Sequence, residues 1–125
     1  MNNQMFQDVF DKLQDYLPND WKKVLLFAAY TTGSYSMKYY VDCGDGSYKD
    51  CFHIPGISKA QLVKLFIGLD KILSVERKTL EENQKWSVLT MRVDDMGAME
   101  TEFDYVDLSE NMIAYEQEWK AKYIG

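Results

Sequence analysis

A run of acidic side chains in the last third of the chain is the part of this sequence best equipped for chemistry. Residues 94–118 contain nine acidic side chains and no basic one: Asp94, Asp95, Glu100, Glu102, Asp104, Asp107, Glu110, Glu116 and Glu118. The rest of the chain holds 11 acidic residues and all 14 basic ones. A surface with one sign of charge attracts an oppositely charged partner and repels like charges. The run therefore favours a basic protein as the partner over nucleic acid or an anionic membrane.

Three of these carboxylates fall on one face of a predicted strand. Side chains alternate between the two faces of a strand, so Glu100, Glu102 and Asp104 share one face of the strand expected at residues 98–105. Neighbouring carboxylates repel one another, and an ordinary solvent-facing strand would also contain Lys or Thr. Two interpretations stay open. The row is either a solvated strand face or part of a binding strip, running from Asp94 to Glu110, that meets basic side chains of a partner.

Three other acidic residues flank a glycine-rich turn, where a calcium loop would be sought. Asp42, Asp45 and Asp50 lack the alternate spacing and the bidentate glutamate at the twelfth position that define an EF-hand. Asp and Gly are also the residues that hairpin turns select. We therefore predict no metal site and no cofactor.

The residue types that usually carry catalysis are scarce. His53 is the one histidine, and it lies near the end of an alternating segment, where a surface or packed residue is expected. The chain contains no G-x-S-x-G, H-E-x-x-H or C-x-x-C motif and no glycine-rich phosphate loop. The pair Asp94 and Asp95 has nothing around it that indicates a dry pocket able to raise a carboxyl pKa. We predict that the protein is not an enzyme.

Composition indicates one globular domain spanning residues 1–125. The chain is 46% hydrophobic with a pI near 4.7, and its length allows one sizeable core. Its apolar runs are too short for a membrane-spanning helix. The first 14 residues lack the charged and apolar regions of a signal peptide, so we expect a cytoplasmic protein with free thiols at Cys43 and Cys51.

The elements that must position these residues follow from periodicity and turn signals. Apolar spacing predicts helices over residues 3–16, from a Ser58 N-cap, and from about Ser109. Apolar and aromatic residues at both odd and even positions predict a strand at 21–31 that is covered on both faces. Alternation and turn residues predict further strands at 34–42, 48–54, 86–93 and 98–105. The order is α-βββ-α-ββ-α. The sequence thus predicts an α+β fold with helices packed on a mainly antiparallel sheet of about five strands.

The turn between the second and third strands sets a testable register. If the turn comprises residues 44–47, Cys43 faces Tyr48 and Cys51 faces Tyr40 across the hairpin, and the two thiols are not opposed. The same hairpin is rich in tyrosine, and we expect most of these rings in the core, with one or two exposed as interface anchors.

Several landmarks along the chain together resemble a known family. In order, they are Leu17-Pro18-x-x-Trp21, Tyr39-Tyr40-Val41, Tyr48, Trp86-x-x-Leu89-Thr90-Met91-x-Val93, Gly97, Phe103-Asp104-Tyr105 and Tyr115-x-x-x-Trp119. Across nearly the whole chain, this series resembles the YezG-like family of bacterial antitoxin or immunity proteins. The landmarks are mostly aromatic and apolar, so they are expected to determine the fold and not the surface that reads a partner.

The resemblance implies a protein without catalytic residues that binds and neutralises a cognate toxin domain, commonly a nuclease. Such toxins act in interbacterial competition, delivered by dedicated secretion or by contact-dependent growth inhibition. An acidic inhibitor suits the basic active site that a nuclease needs, so the strip from Asp94 to Glu110 is the expected contact. A small regulatory or ligand-binding module acting as a homodimer is the alternative. The free protein is expected to be a monomer or a weak homodimer.

Overall fold

An antiparallel sheet forms the centre of the computed structural model, which describes residues 3–124. The strands are β1 (Lys23–Thr31), β2 (Ser34–Asp42), β3 (Lys49–Asp50), β4 (Val88–Asp94) and β5 (Met99–Asp104). They lie side by side in the order β3-β2-β1-β4-β5, and each pairing within the described range is antiparallel. The helices are α1 (Asn3–Gln14), α2 (Lys59–Lys78) and α3 (Met112–Tyr123). The predicted α+β class and element order are confirmed.

Helices cover both faces of the sheet. Val24 and Leu26 of β1 pack with α1 and α2 on one face, while Leu25 and Phe27 pack with α3 on the other. Strand β1 is buried along almost its whole length, which is why its sequence is apolar at both odd and even positions. The predicted strand buried on both faces is therefore confirmed, with its start at Lys23 instead of residue 21.

The helix pair on the first face is held by an apolar stripe and a well-formed cap. Val9 and Leu13 of α1 are fully buried against the sheet and α2. At the start of α2, the hydroxyl of Ser58 accepts a hydrogen bond from the Gln61 backbone N–H at 3.1 Å, and the Gln61 side chain accepts one from the Ser58 N–H at 2.7 Å. This capping box satisfies two backbone donors at the helix start, and the predicted N-cap is confirmed.

Trp119 fixes α3 to the opposite face. Its ring lies 4.8 Å from the ring of Phe27 and 5.7 Å from that of Tyr40, between centroids. Its indole Nε1 donates a buried hydrogen bond of 2.9 Å to the hydroxyl of Thr90 on β4. The helix begins at Met112, three residues later than the predicted start at Ser109.

The predicted strand from Tyr48 to Ile54 is wrong beyond Asp50. The carboxylate of Asp50 accepts the backbone N–H of Phe52 at 2.8 Å and begins a 3-10 turn at Cys51–His53. A side chain that offers the backbone an alternative acceptor competes with the strand ladder. Pro55, which has no N–H to donate, lies two residues beyond this turn.

The predicted hairpin register is also wrong by one residue. Tyr40 lies opposite Asp50 and not opposite Cys51. The reason is Asp42, whose carboxylate accepts the backbone N–H groups of Gly44 at 2.7 Å and Gly46 at 3.2 Å and so folds the loop around itself. Cys51 is buried, Cys43 is partly exposed, and both thiols are free.

Among residues 3–124, no helix is both long enough and apolar enough to cross a membrane.

Candidate partner-binding surface

A tight hairpin determines which side chains of the acidic strand β5 lie on each face of the sheet. Loop residues 95–98 join β4 to β5, and Gly97 adopts a φ of +88°, which residues with a Cβ rarely adopt. The carboxylate of Asp94 accepts the backbone N–H groups of Met96 at 3.0 Å and Ala98 at 2.9 Å. Asp94, predicted as a binding residue, is therefore occupied in shaping this turn.

The register of β5 turns its row of carboxylates toward α3. Glu100 and Glu102 lie opposite Arg92 and Thr90 of β4, on the same face as Trp119. The predicted common face of Glu100, Glu102 and Asp104 is thus confirmed. The structure adds that this face is not bare, because α3 packs beside it.

Each carboxylate of the row has a partner of its own. Asp104 accepts hydrogen bonds from the Tyr115 hydroxyl at 2.7 Å and from the Tyr105 backbone N–H at 2.8 Å. Glu102 accepts one from the Tyr123 hydroxyl. Glu100 pairs with Arg92 at 3.4 Å, with the Glu100 side chain 76% exposed, so this ion pair is weak. The repulsion expected within the row is offset by these separate contacts.

The two tyrosines donate to the carboxylates as neutral groups. Burial, together with the hydrogen bond to Asp104, raises the pKa of Tyr115 well above its ordinary value. Burial and the hydrogen bond to Glu102 likewise raise the pKa of Tyr123. Both phenols therefore keep their protons at neutral pH and add no charge of their own beside the carboxylates.

A cleft of about 260 Å³ opens between β5 and α3. Its charged lining is Glu102, Asp104, Glu118 and Lys122, and the rings of Tyr115, Trp119 and Tyr123 contribute an aromatic floor. We call the group Glu100, Glu102, Asp104 and Glu118 the acidic seam. Counting Arg92 and Lys122 beside these four carboxylates, the seam has a local charge of −2. Carboxylates above aromatic faces form a suitable receptor for a lysine or arginine side chain.

The other predicted binding residues lie around the seam in different states. Asp95 pairs with Lys22 at 3.5 Å. Asp107 accepts the Ser109 backbone N–H at 3.0 Å, and this contact lowers the pKa of its carboxyl group.

Two acidic side chains remain free, Glu118 within the seam and Glu110 outside it. Glu110 and Glu118 are exposed and have no hydrogen bond or ion pair within the described part of the chain. Glu116 differs from both, because it pairs with Lys38 of β2 at 3.5 Å.

The comparison with known families matches the chain almost from end to end. The family described as "Immunity protein YezG-like" matches residues 2–125. The chain belongs to this family. A protein of Bacillus spizizenii named "Immunity protein YezG" is 23% identical over 110 residues, covering 83% of this chain and 68% of that protein. The resemblance expected from the sequence landmarks is confirmed.

Sequence reasoning about this YezG-like chain did not assign the aromatic half of the site. The apolar spacing that predicts the last helix places Met112, Tyr115, Trp119 and Tyr123 only on its buried stripe. The spacing of four residues between Tyr115, Trp119 and Tyr123 is the signal that could have placed them beside the strand. Trp119 is buried as expected, whereas Tyr115 and Tyr123 are half-buried and present their hydroxyl groups to the carboxylates.

The aspartates of the glycine-rich turn act locally in this family member. Asp42 and Asp50 cap their own turns, as described above, and Asp45 accepts the Ser47 backbone N–H at 3.1 Å. The structure brings no group of three or more His, Cys, Asp or Glu residues together as a metal site in the range that it describes. His53 is exposed at the end of the 3-10 turn.

Proposed function

We propose that this protein is an immunity protein whose acidic seam occludes the basic active-site surface of a cognate toxin domain, a nuclease. In this proposal residues 1–125 act as one non-catalytic binding domain in the cytoplasm, without a cofactor. The observation that carries it is the cleft between β5 and α3, where carboxylates held by tyrosine hydroxyls surround an aromatic floor.

The charge of the seam supports a nuclease as the partner. A nuclease must attract phosphate groups, so its active-site surface is basic. An inhibitor with a negative patch uses the same field to reach the enzyme quickly and in the right orientation. Nucleic acid itself is repelled by this patch, so the immunity protein does not compete for the substrate.

The carboxylates of the seam, together with Glu110, divide into two roles under this proposal. Glu102 and Asp104 are held in place by tyrosine hydroxyls, so they form an ordered receptor for a basic side chain of the toxin. Glu110 and Glu118 are exposed and free within the described residues, so they attract the toxin over a longer range. Binding energy then comes mainly from the ordered cleft, and association rate mainly from the free glutamates.

The regulatory-module alternative would use a different part of the molecule. A cleft of about 450 Å³ lies between α1 and α2 and is lined by Lys12, Lys64, Ile67 and Lys71. A ligand or a second copy bound there would leave the acidic seam with no role beyond solubility. Changes in the seam would then not affect binding, which separates the two readings.

The test neutralises charge without disturbing the fold. The variant Glu100→Gln/Glu110→Gln/Glu118→Gln removes three exposed carboxylates and leaves the tyrosine-bound pair intact. The matched control is Asp8→Asn/Asp11→Asn on α1 together with Asp15→Asn directly after its end, which removes the same charge from the opposite face. Association with the toxin domain encoded beside the gene would be measured by surface plasmon resonance, and protection by growth on toxin expression.

We expect the seam variant to associate about tenfold more slowly at low salt, with a smaller deficit at high salt. The control should associate as the parent protein does. Equal behaviour of the two variants would show that the toxin docks elsewhere. Failure of the parent protein to bind or neutralise the toxin would refute the immunity function itself.

A further inference from the structure

A third cleft lies at the end of the sheet where β5 finishes. It has a volume of about 500 Å³ and lies among the β1–β2 turn, the C-terminal end of α2 and the segment after β5. We call it the Arg77 cleft, and the lining residues that matter here are Tyr30, Arg77, Glu82, Lys85, Tyr105 and Val106. Tyr105 follows Asp104 directly in the chain, so this cleft adjoins the acidic seam.

Arg77 is held in a fixed position. Its Nε donates a hydrogen bond of 2.9 Å to the backbone carbonyl of Trp86. Its guanidinium carbon lies 4.5 Å from the ring centroid of Tyr30 and 5.3 Å from that of Trp86. These two buried rings meet edge to face, 5.7 Å apart, so the guanidinium group lies in the corner that they form.

The rest of this guanidinium group has no partner. Within residues 3–124 the Nη atoms of Arg77 make no hydrogen bond and no ion pair, whereas Arg92, the other arginine of the chain, pairs with Glu100. Burial lowers the pKa of Arg77, because its charged form is partly removed from water. A fixed, partly desolvated arginine with free Nη atoms is prepared for a planar anion that accepts two parallel hydrogen bonds.

We propose that the Arg77 cleft binds a carboxylate side chain of a partner protein through the free Nη atoms of Arg77. Lys85 is already paired with Glu82 at 3.3 Å, and Asp70 accepts the Tyr30 hydroxyl at 2.7 Å. Because Glu82 neutralises Lys85, the charge of Arg77 is the one unpaired positive charge at the mouth of the cleft among its described residues. Asp107 also lines the cleft, so its surroundings carry a net negative charge and repel a doubly charged phosphate about twice as strongly as a carboxylate. The carboxylate is held against this repulsion by the two parallel hydrogen bonds from the Nη atoms.

The rim of the cleft indicates that the carboxylate belongs to a protein. Tyr105 is 60% exposed and Val106 is 41% exposed. An aromatic and a branched apolar side chain next to a fixed arginine have the composition of an interface hot spot. That the partner is the toxin rests on the proposed function. The site itself does not, and its test is separate.

The direct test uses acetate as the probe on the full-length protein. Acetate at constant ionic strength should shift the NMR signals of Arg77 Nε–H and the Trp86 indole saturably, with sodium chloride and inorganic phosphate as comparisons. Arg77→Lys should weaken acetate binding at least about fivefold, because an ammonium group cannot make the two parallel bonds. Glu82→Gln should strengthen it, because it removes a competing carboxylate that is 93% exposed and outside the core. Arg92→Lys is the matched control and should change nothing at Trp86.

Three results would overturn the proposal. The first is acetate-induced shifts of the NMR signals that are no larger than those with chloride. The second is an acetate affinity that neither falls in Arg77→Lys nor rises in Glu82→Gln. The third is tighter binding of phosphate than of acetate. With the toxin domain, Arg77→Lys should weaken affinity about tenfold and Glu82→Gln should not weaken it. Toxin affinity unchanged by Arg77→Lys but reduced by the seam variant would refute the cleft as a toxin contact and leave the immunity function standing. If Arg77→Lys abolishes acetate binding but protection against the toxin stays intact, the cleft is likewise not a toxin contact and the immunity function stands.

Discussion

The hydrogen bond between Asp104 and Tyr115 should help to hold α3 against the sheet beside the acidic seam, in addition to the buried contacts of Trp119. Replacing Asp104 by Ala removes two contacts of its carboxylate, the Tyr115 hydroxyl at 2.7 Å and the Tyr105 N–H at 2.8 Å. Hydrogen bonds to a charged group contribute about 1.5–3 kcal/mol each when buried. These two are partly exposed, so we expect Asp104→Ala to lower the free energy of unfolding by about 2 kcal/mol in total. For 125 residues the unfolding entropy is about 0.26 kcal/mol/K, so Tm should fall by about 8 °C.

A double-mutant cycle isolates the contribution of the pair. Urea unfolding would be followed by circular dichroism for Asp104→Ala, Tyr115→Phe and the double variant. We expect a coupling energy of about 1 kcal/mol, because Tyr115→Phe removes the hydroxyl and leaves the ring in place. Glu118→Gln is the matched control. Its carboxylate has no partner in the described residues, so stability should change by less than about 0.5 kcal/mol.

Two outcomes would refute this reasoning. A coupling energy near zero would mean that water replaces the phenol at no cost and that the contact does not hold α3. A loss of stability in Glu118→Gln as large as in Asp104→Ala would mean that the division into structural and free carboxylates is wrong. In either case, Glu102 and Asp104 would lose their assignment as the ordered part of the seam.

Three further properties follow from the core and its cap. Burial raises the pKa of Tyr30, Tyr39 and Tyr40 above the ordinary 10.0. The free energy of unfolding should therefore be unaffected by these groups below pH 10 and should fall above it by about 1.4 kcal/mol per tyrosine per pH unit, because the unfolded chain ionises first. An alkaline unfolding transition that coincides with tyrosinate absorbance checks this. Burial raises the pKa of the Cys51 thiol to about 11, so a thiol reagent should label Cys43 in the folded protein and Cys51 only after unfolding. Ser58→Ala should cost about 1 kcal/mol by removing the capping box, measured by urea unfolding.

Local patterns were sufficient for the fold class. The apolar residues of β1 at both parities predicted burial on both faces, and the structure places helices on each side. Ser58 predicted the start of α2, because a cap depends only on residues about three apart in the chain. Alternation placed β2 at Ser34–Asp42 without error. All of these features are set by neighbours in sequence, which is why one sequence reveals them.

The third strand shows where such patterns fail. Tyr48, Asp50, Phe52 and Ile54 alternate as a strand should, yet pairing ends at Asp50. The outcome depends on whether the Phe52 N–H bonds to a neighbouring strand or to the Asp50 carboxylate, and the side chain wins at 2.8 Å. That competition is between two acceptors of similar strength, so residue type alone does not decide it.

The sequence could predict that the acidic row shares one strand face, but not that this face forms a cleft with α3. Period two on β5 is a local property, and it correctly placed Glu100, Glu102 and Asp104 together. Which helix covers that face depends on the path of the chain after Asp104, and on the contact between Trp119 and Thr90 that anchors α3 there. Asp104 and Tyr115 are 11 positions apart and Thr90 and Trp119 are 29 apart. Contacts over such separations leave no periodic pattern in the sequence.

The use of tyrosines to hold the row has a consequence for function. A lysine or arginine beside Glu102 and Asp104 would order them equally well but would cancel their charge. A phenol whose pKa is raised donates a hydrogen bond and adds no positive charge. The carboxylates therefore lose conformational freedom while the cleft keeps its negative potential, and less ordering remains to be done when a cation arrives. The same hydrogen bonds that dock α3 thus prepare the seam for a basic partner, which is why destabilising α3 should weaken binding even where no contacting residue is changed.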